Sequence, residues 1–469
     1  MTSPNSLNAF KDHILPDSHS ADSSIDAIVA HKQDVAALDI ASAASVSPML
    51  PVIQAERIVF LDVLRGFALF GILVVNMDVF IHPILLATYQ VNPIFSVWDE
   101  WAWVVSRVLF QGKFYLIFAF LFGLGFALQM ERAESNSQRF AIFFLRRMSI
   151  LLCLGIAHIC LVWIGDILVM YALWGFVLLL FCKRSDKTLM YWALGFSFWP
   201  VLGAFLLGLV AVLGIHNSFA PRWDSYSAKA AELAVTYIDY AQGSYLTALQ
   251  RRWIEIKTLY FSHALVSTQV LGMFLLGLWC HRKNVFQSKV LTHTTWQKRH
   301  KYTAFVGLFV GGLGSIWIEY QVGGLRDLKA AFAWDWGANI SRTSALGLSV
   351  LAPPFLSMAY VTFVCLACQS NKFGFFKVAL AKAGRMSLSL YLMQSVICTL
   401  IFNGYGLGFY GQVGKAGSMG LAVGIFAAQL LLAHYWFKRY QYGPVEWLWR
   451  ALSYRRWADF KSAKQVFYA

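Results

Sequence analysis

Long apolar segments separated by short basic ones make up most of this chain. A bilayer's hydrocarbon core is about 30 Å thick and a helix rises about 1.5 Å per residue, so roughly 20 apolar residues make one crossing. Ten segments reach or approach that length: 58–77, 103–128, 148–164, 166–182, 189–214, 263–280, 302–320, 344–368, 386–403 and 418–437. The pattern predicts an all-α polytopic helix bundle with about ten transmembrane helices. Two further stretches, 228–240 and 245–256, alternate apolar and polar faces at helical spacing and predict amphipathic helices outside the membrane.

Lys and Arg decide the orientation, because cytoplasmic loops carry their excess. They concentrate in 129–147, 183–187, 281–301, 369–385 and the C-terminal tail, whereas 78–102 and 404–417 hold only Lys415 between them. The basic loops are therefore assigned to the cytoplasm, and an even number of spans puts both termini there. Composition agrees with this class: 58% of the 469 residues are hydrophobic and 13% are charged. The net charge of +15 is accounted for by juxtamembrane loops facing anionic membrane lipid, so no nucleic-acid partner is expected.

Residues 1–55 run the other way, with Lys11 and Lys32 against Asp12, Asp17, Asp22, Asp26, Asp34 and Asp39 amid many Ser and Ala. That composition predicts a disordered cytoplasmic tail and not a signal peptide. The transmembrane domain then occupies 56–440. In 441–469, the run QYGPVEWLWRALSYRRW has Pro444 at a helix start and interleaves Trp with Arg, which predicts an amphipathic interfacial helix. The seven cysteines fall in or at the ends of predicted spans and read as small apolar packing residues. Cys365 and Cys368 form a CxxC without two further ligands at suitable spacing, so no metal is expected.

Four stretches place polar chemistry inside the apolar background. In RIVFLDVLRGFALFGILVVNM, Asp62 and Arg65 stand at i and i+3 on one helical face. Asn76 lies about 16 Å further along, with His82 just past the end. An ionisable side chain at the membrane centre costs roughly 2.5–3.5 kcal/mol, so this pair faces protein or water, as a packing lock or as a substrate contact. In GKFYLIFAFLFGLGFAL, Lys113 is too deep to snorkel freely and calls for an internal acceptor, Asp166 or a carbonyl. Gly123 and Gly125 there read as packing positions, because no strand precedes them. RRMSILLCLGIAHICLVWIGDIL carries Arg147, then His158 in the outer half, then Asp166 after the Gly165 break. A neutral imidazole can take a proton from an attacking hydroxyl or amine, and a carboxylate beside it fixes its tautomer, so this is the candidate for proton chemistry. A buried histidine that only packs is the plainer alternative. In GRMSLSLYLMQSVIC, Arg385 heads a one-face stripe of Ser387, Tyr391, Gln394, Ser395 and Cys398, which lines a helix interface or a cavity.

Taken in order, LDVLRGFALFGILVVNM, QGKFYLIFAFLFGLGFAL, GIAHICLVWIGDIL, GRMSLSLYLMQS and YGPVEWLWR resemble the YeiB-like family of bacterial inner-membrane proteins, whose C-terminal half is catalogued as domain of unknown function 418. The resemblance covers nearly everything after residue 56 and implies a multi-pass protein of the bacterial inner membrane. A looser likeness, carried by LDVLRG followed by VVNM, extends to the integral-membrane acyltransferase clan that includes heparan-alpha-glucosaminide N-acetyltransferase. It implies transfer of an acyl group from cytoplasmic acyl-CoA to a sugar on the other side, with Arg65 in an entrance motif and Asn76 in the active site. The heparan enzyme carries its catalytic histidine further beyond the Asn than His82 stands here, so either His82 or His158 takes that role.

The resulting expectation is an acyltransferase that uses acyl-CoA, acetyl-CoA foremost, and an envelope glycan or lipid-linked acceptor. Arg65, Arg147 and Arg385 are assigned to the CoA phosphates with Asp62 beside them. His158 and Asp166 form the base, Lys113 or Asn76 the oxyanion donor, and Tyr391, Gln394 and Ser395 line the substrate path. The alternative is a transporter or flippase in which the same groups form a proton or substrate path at the midplane.

Overall fold

The computed structural model describes residues 59–88, 93, 95–133, 137–212, 223–263, 266–286, 294–322, 340–370, 374–457 and 459–460. The predicted tail at 1–55 lies outside the described residues, as does 461–469. Among the described residues there is no β-strand, and every one of the ten predicted segments contains a helix.

The first long helix, α1 (Val59–Ile81), is followed by a single turn, α2 (Ile84–Thr88). Next comes α3 (Val97–Val105), which runs through a π-helical turn at Ser106–Phe110 toward α4 (Phe114–Glu131). Helices α5 (Ser137–Leu161), α6 (Leu168–Leu178) and α7 (Asp186–Val212) complete the first half. The two predicted amphipathic helices are α8 (Trp223–Ala241) and α9 (Tyr245–His263). The second half holds α10 (Thr268–Arg282), α11 (Thr294–Val322), α12 (Ile340–Gln369), α13 (Gly374–Arg385), α14 (Ser387–Phe402), α15 (Lys415–Trp436) and α16 (Pro444–Tyr454).

Among the described residues, six stretches are long and apolar enough to cross a membrane unaided: Phe60–Ile81, Val97–Glu131, Phe140–Leu161, Gln297–Tyr320, Ser349–Gln369 and Lys415–Trp436. A seventh arises if α13 and α14, bent by 82° at Met386, count as one broken span. The predicted segment 166–182 forms only the short α6 and a 3-10 turn, Leu179–Phe181.

Helix α1 sits inside the bundle, against α4, α13, α14 and α15. Its contact with α13 is backbone to backbone: a Cβ on Gly384 would run into the carbonyl oxygen of Asp62, and one on Gly66 into that of Leu380. The same close approach joins α4 to α10 at Gly123 and Gly277, which bears out the packing role read for Gly123; Gly125 faces open space. Small residues are what allow this between membrane helices, where dispersion contact replaces a hydrophobic driving force. Large apolar side chains point outward, among them Tyr191, Trp192 and Phe205 on α7 and Phe305 and Phe309 on α11. Such a surface suits lipid and would be an aggregation hazard in water.

The 82° bend exposes the first N–H groups of α14, and α16 answers them. The Glu446 carboxylate accepts from Leu388 N at 2.7 Å and Ser389 N at 3.0 Å, and it also takes the Ser389 hydroxyl. The predicted interfacial helix is thus docked on the bundle. Trp449 donates its indole N–H to the Arg147 carbonyl at 3.1 Å, and the Arg147 guanidinium lies 3.6 Å over the Trp449 ring.

Candidate functional site

The site begins where α5 ends. The chain breaks at Val162–Ile167, with Gly165 packed so closely under the Trp163 ring that a Cβ would collide with it. Asp166 emerges from this turn with both oxygens committed. Oδ1 accepts from Val169 N in the first turn of α6 at 2.9 Å, and Oδ2 lies 2.7 Å from His158 Nδ1 on the last turn of α5. A carboxylate only accepts, so Nδ1 carries a proton, and in the neutral imidazole the lone pair is then at Nε2. That Nε2 is buried and has no hydrogen-bond partner. Tyr391, from α14, closes the cluster: its hydroxyl donates to Gly165 O at 3.3 Å and accepts from Ile167 N at 3.4 Å, with its ring 5.4 Å from the imidazole. The fold therefore unites His158, Asp166 and Tyr391, which lie on three segments of the sequence.

Asn76 shares a helix with Phe80, which contacts Trp163 beside this cluster. It is half-buried on α1, one turn before Phe80, whose ring stacks on Trp163 at 4.0 Å, while Trp163 lies 6.5 Å from His158. Lys113 does not join: its Nζ donates to the Arg107 carbonyl at 2.7 Å, the carbonyl acceptor of the two expected. His82 sits just past the end of α1, with Nδ1 3.0 Å from the Tyr237 hydroxyl. Burial, reinforced by the Lys415 charge and opposed by Asp99, holds its pKa down to about 4.

At the other end of the bundle Asp62 and Arg65 pair at 2.7 Å. Arg147 lies within electrostatic reach of both Arg65 and Arg450, so positive charge accumulates there. Arg385 donates to Gln441 O at 3.2 Å and covers the Phe437 ring at 4.0 Å. Gln394 donates to Gln429 on α15 at 2.8 Å, and Ser395 returns its hydroxyl to the Tyr391 carbonyl, so this part of the stripe is bonded within and between helices.

Three associations of charged residues were not read from the sequence. Lys415, read there as a loop charge, is wholly buried; it pairs with Asp78 and lies 4.8 Å from the Trp103 ring centre. Arg107 reaches Glu319 at 3.3 Å, and its charge also acts on Asp78. Arg252 and Glu255 line a pocket together with Phe80, Trp163, Tyr240 and Asn403. The available signal was an isolated ion at the edge of an apolar run, as at Asp78 and Lys415, but partners 337 residues apart carry no local mark of each other.

Comparison with known proteins places this architecture. A family model described as a protein of unknown function, DUF418, matches residues 282–456. The chain is 32% identical over 440 residues to YxaH of Bacillus subtilis, covering 90% of this chain and all of that protein. It is 29% identical over 420 residues to YeiB of Escherichia coli, covering 85% and 97%. A 39.9 kDa protein encoded in the amylase 3' region of Bacillus acidopullulyticus is 26% identical over 412 residues, covering 87% and 97%. Full-length similarity of this kind, over a bundle of long apolar helices, means that the chain belongs to the YeiB-like, DUF418-containing family of multi-pass membrane proteins.

Proposed function

We propose that this protein is an integral-membrane acyltransferase that moves an acyl group, acetyl foremost, from cytoplasmic acyl-CoA to a hydroxyl or amine of an envelope glycan or lipid-linked acceptor in the bacterial inner membrane. The observation that carries the reading is the buried His158–Asp166 pair with an unengaged Nε2. Nε2 takes the acceptor's proton as the acceptor oxygen or nitrogen attacks the thioester carbonyl. The oxyanion collapses, the carbon–sulfur bond breaks, and the departing CoA sulfur receives the proton from the imidazolium. Asp166 stays ionised throughout, holding the tautomer and stabilising the imidazolium. Asn76, one turn from the Trp163 contact, suits the oxyanion better than Lys113, whose ammonium is held by a backbone carbonyl. The charge near Arg65 and Arg147 is about 16 Å from His158 along α5, a span that an extended pantetheine arm can bridge. His82 is the weaker base, since a pKa near 4 leaves little affinity for a proton at neutral pH.

The buried Lys415 and Arg107, paired with the half-buried Asp78 and Glu319, favour the second reading, a transporter with a charged path. Radiolabelled acetyl-CoA offered to inverted vesicles separates the two. Transfer of label to an envelope or lipid acceptor, with CoA released and both lost in His158→Ala at normal protein levels, is the expected result. Label accumulating inside vesicles without CoA release would favour transport, and full transfer by His158→Ala would remove the base.

A further inference from the structure

Arg252, on the amphipathic helix α9, is only 2% exposed. Its Nε donates to Ala248 O at 3.2 Å within its own helix, and both terminal nitrogens, Nη1 and Nη2, have no hydrogen-bond partner. The Tyr245 ring centre lies 5.4 Å from the guanidinium. Asp239 and Glu255 form their hydrogen bonds with other residues, and Glu255 lines the same pocket as Arg252. Asp239 pairs with Arg251 at 2.7 Å, and Glu255 accepts the Tyr240 hydroxyl at 2.6 Å. A buried ion without a counter-charge costs several kcal/mol, and arginine cannot shed its proton to escape that cost.

The guanidinium lines the pocket between the end of α1, the 162–164 turn, α8 and the segment after α14. A second orphaned donor lines the same pocket: Trp163 Nε1 is buried and has no hydrogen-bond partner. Two side chains that line one space therefore carry three buried nitrogens whose N–H groups are unspent. A planar guanidinium fork pairs two oxygens of a phosphate, and an indole N–H supplies a third donor that a two-oxygen carboxylate would use less fully. We propose that this pocket is a binding site for a phosphate group, held by the Arg252 guanidinium and the Trp163 indole. It rests on the orphaned donors alone and stands whether or not acyl transfer is the reaction. A phospholipid headgroup and a soluble phosphoester offer the same chemistry.

The test uses the full-length protein in detergent, with binding read by thermal shift and by titration. The probes are inorganic phosphate and short-chain phosphatidic acid, with chloride at equal ionic strength as control. Wild type is expected to bind phosphate, and Arg252→Gln to bind about 10- to 100-fold more weakly, the loss of one or two charge-assisted hydrogen bonds. Trp163→Phe keeps the stack on Phe80 and removes one donor, and it is expected to weaken binding several-fold. Without phosphate, Arg252→Gln should be at least as stable as wild type, because an uncompensated charge has gone. Tighter binding of phosphatidic acid than of inorganic phosphate assigns the site to a lipid headgroup, and equal binding to a soluble phosphoester. Equal protection of wild type and both variants, or of none, overturns the site, as does an Arg252→Gln protein that unfolds without phosphate.

Discussion

Lys415→Met provides the sharpest test of the buried ion pair. Removing the ammonium leaves the Asp78 carboxylate among buried groups, and its cheapest escape is to take up a proton. From an ordinary aspartate pKa of about 3.9, that costs about 1.36 kcal/mol per pH unit, hence about 4 kcal/mol at pH 7 and about 1.5 kcal/mol at pH 5. These are ceilings, because the Arg107 charge also acts on Asp78 and recovers part of the loss. The sign follows from proton counting: the folded variant binds a proton that the unfolded chain lacks above about pH 4, so its stability falls as pH rises. Asp78→Asn strands the ammonium instead, and its penalty should shrink toward high pH. Combining Lys415→Met with Asp78→Asn should cost less than either alone. Unfolding in mixed micelles, followed by tryptophan fluorescence at pH 5 and pH 7, measures all of this. Wild-type stability of Lys415→Met at pH 7, a loss that does not change with pH, or a double variant worse than the summed singles would refute the reasoning.

Gly384→Val should lower stability by about 1–3 kcal/mol or more by driving α13 from the Asp62 carbonyl, while Gly125→Ala, which faces open space, is silent in the same assay; equal effects would dissolve the close-packing argument. Glu255 is pushed up to about 7, chiefly by burial, so the folded state holds its proton longer than the unfolded chain and loses up to about 3 kcal/mol as pH rises from about 4.5 through 7. Glu255→Gln should flatten that slope between pH 5 and pH 8, and an unchanged slope would assign it to another group. Single cysteines at the exposed Val97 and Gln412 should react with an impermeant thiol reagent on intact cells, and one at Ser288 should not, in a background lacking the seven native cysteines. Strong labelling at Ser288 would invert the protein and move Arg65 and Arg147 away from a cytoplasmic donor.

Apolar periodicity by itself determined the class, because a bilayer demands long internally hydrogen-bonded helices and leaves that demand written in consecutive residues. The ten segments, the amphipathic helices at 228–240 and 245–256, and the family motifs were all legible locally. The pairing of His158 with Asp166 was also within reach, since eight residues and one glycine break separate them. What tertiary structure alone decided is which ions meet. Lys415 looked like a loop charge until α15 carried it to Asp78, and Lys113 had two possible acceptors until the π-helical turn offered the Arg107 carbonyl. The stripe on α14 was divided in the same way, Tyr391 turned to the Gly165 break and Gln394 to Gln429, because a helix face shows its polar groups in sequence but not the neighbour it faces. Arg252 was one basic residue on an amphipathic helix, and only the fold brings its guanidinium and the Trp163 indole to one buried pocket with their donors unspent.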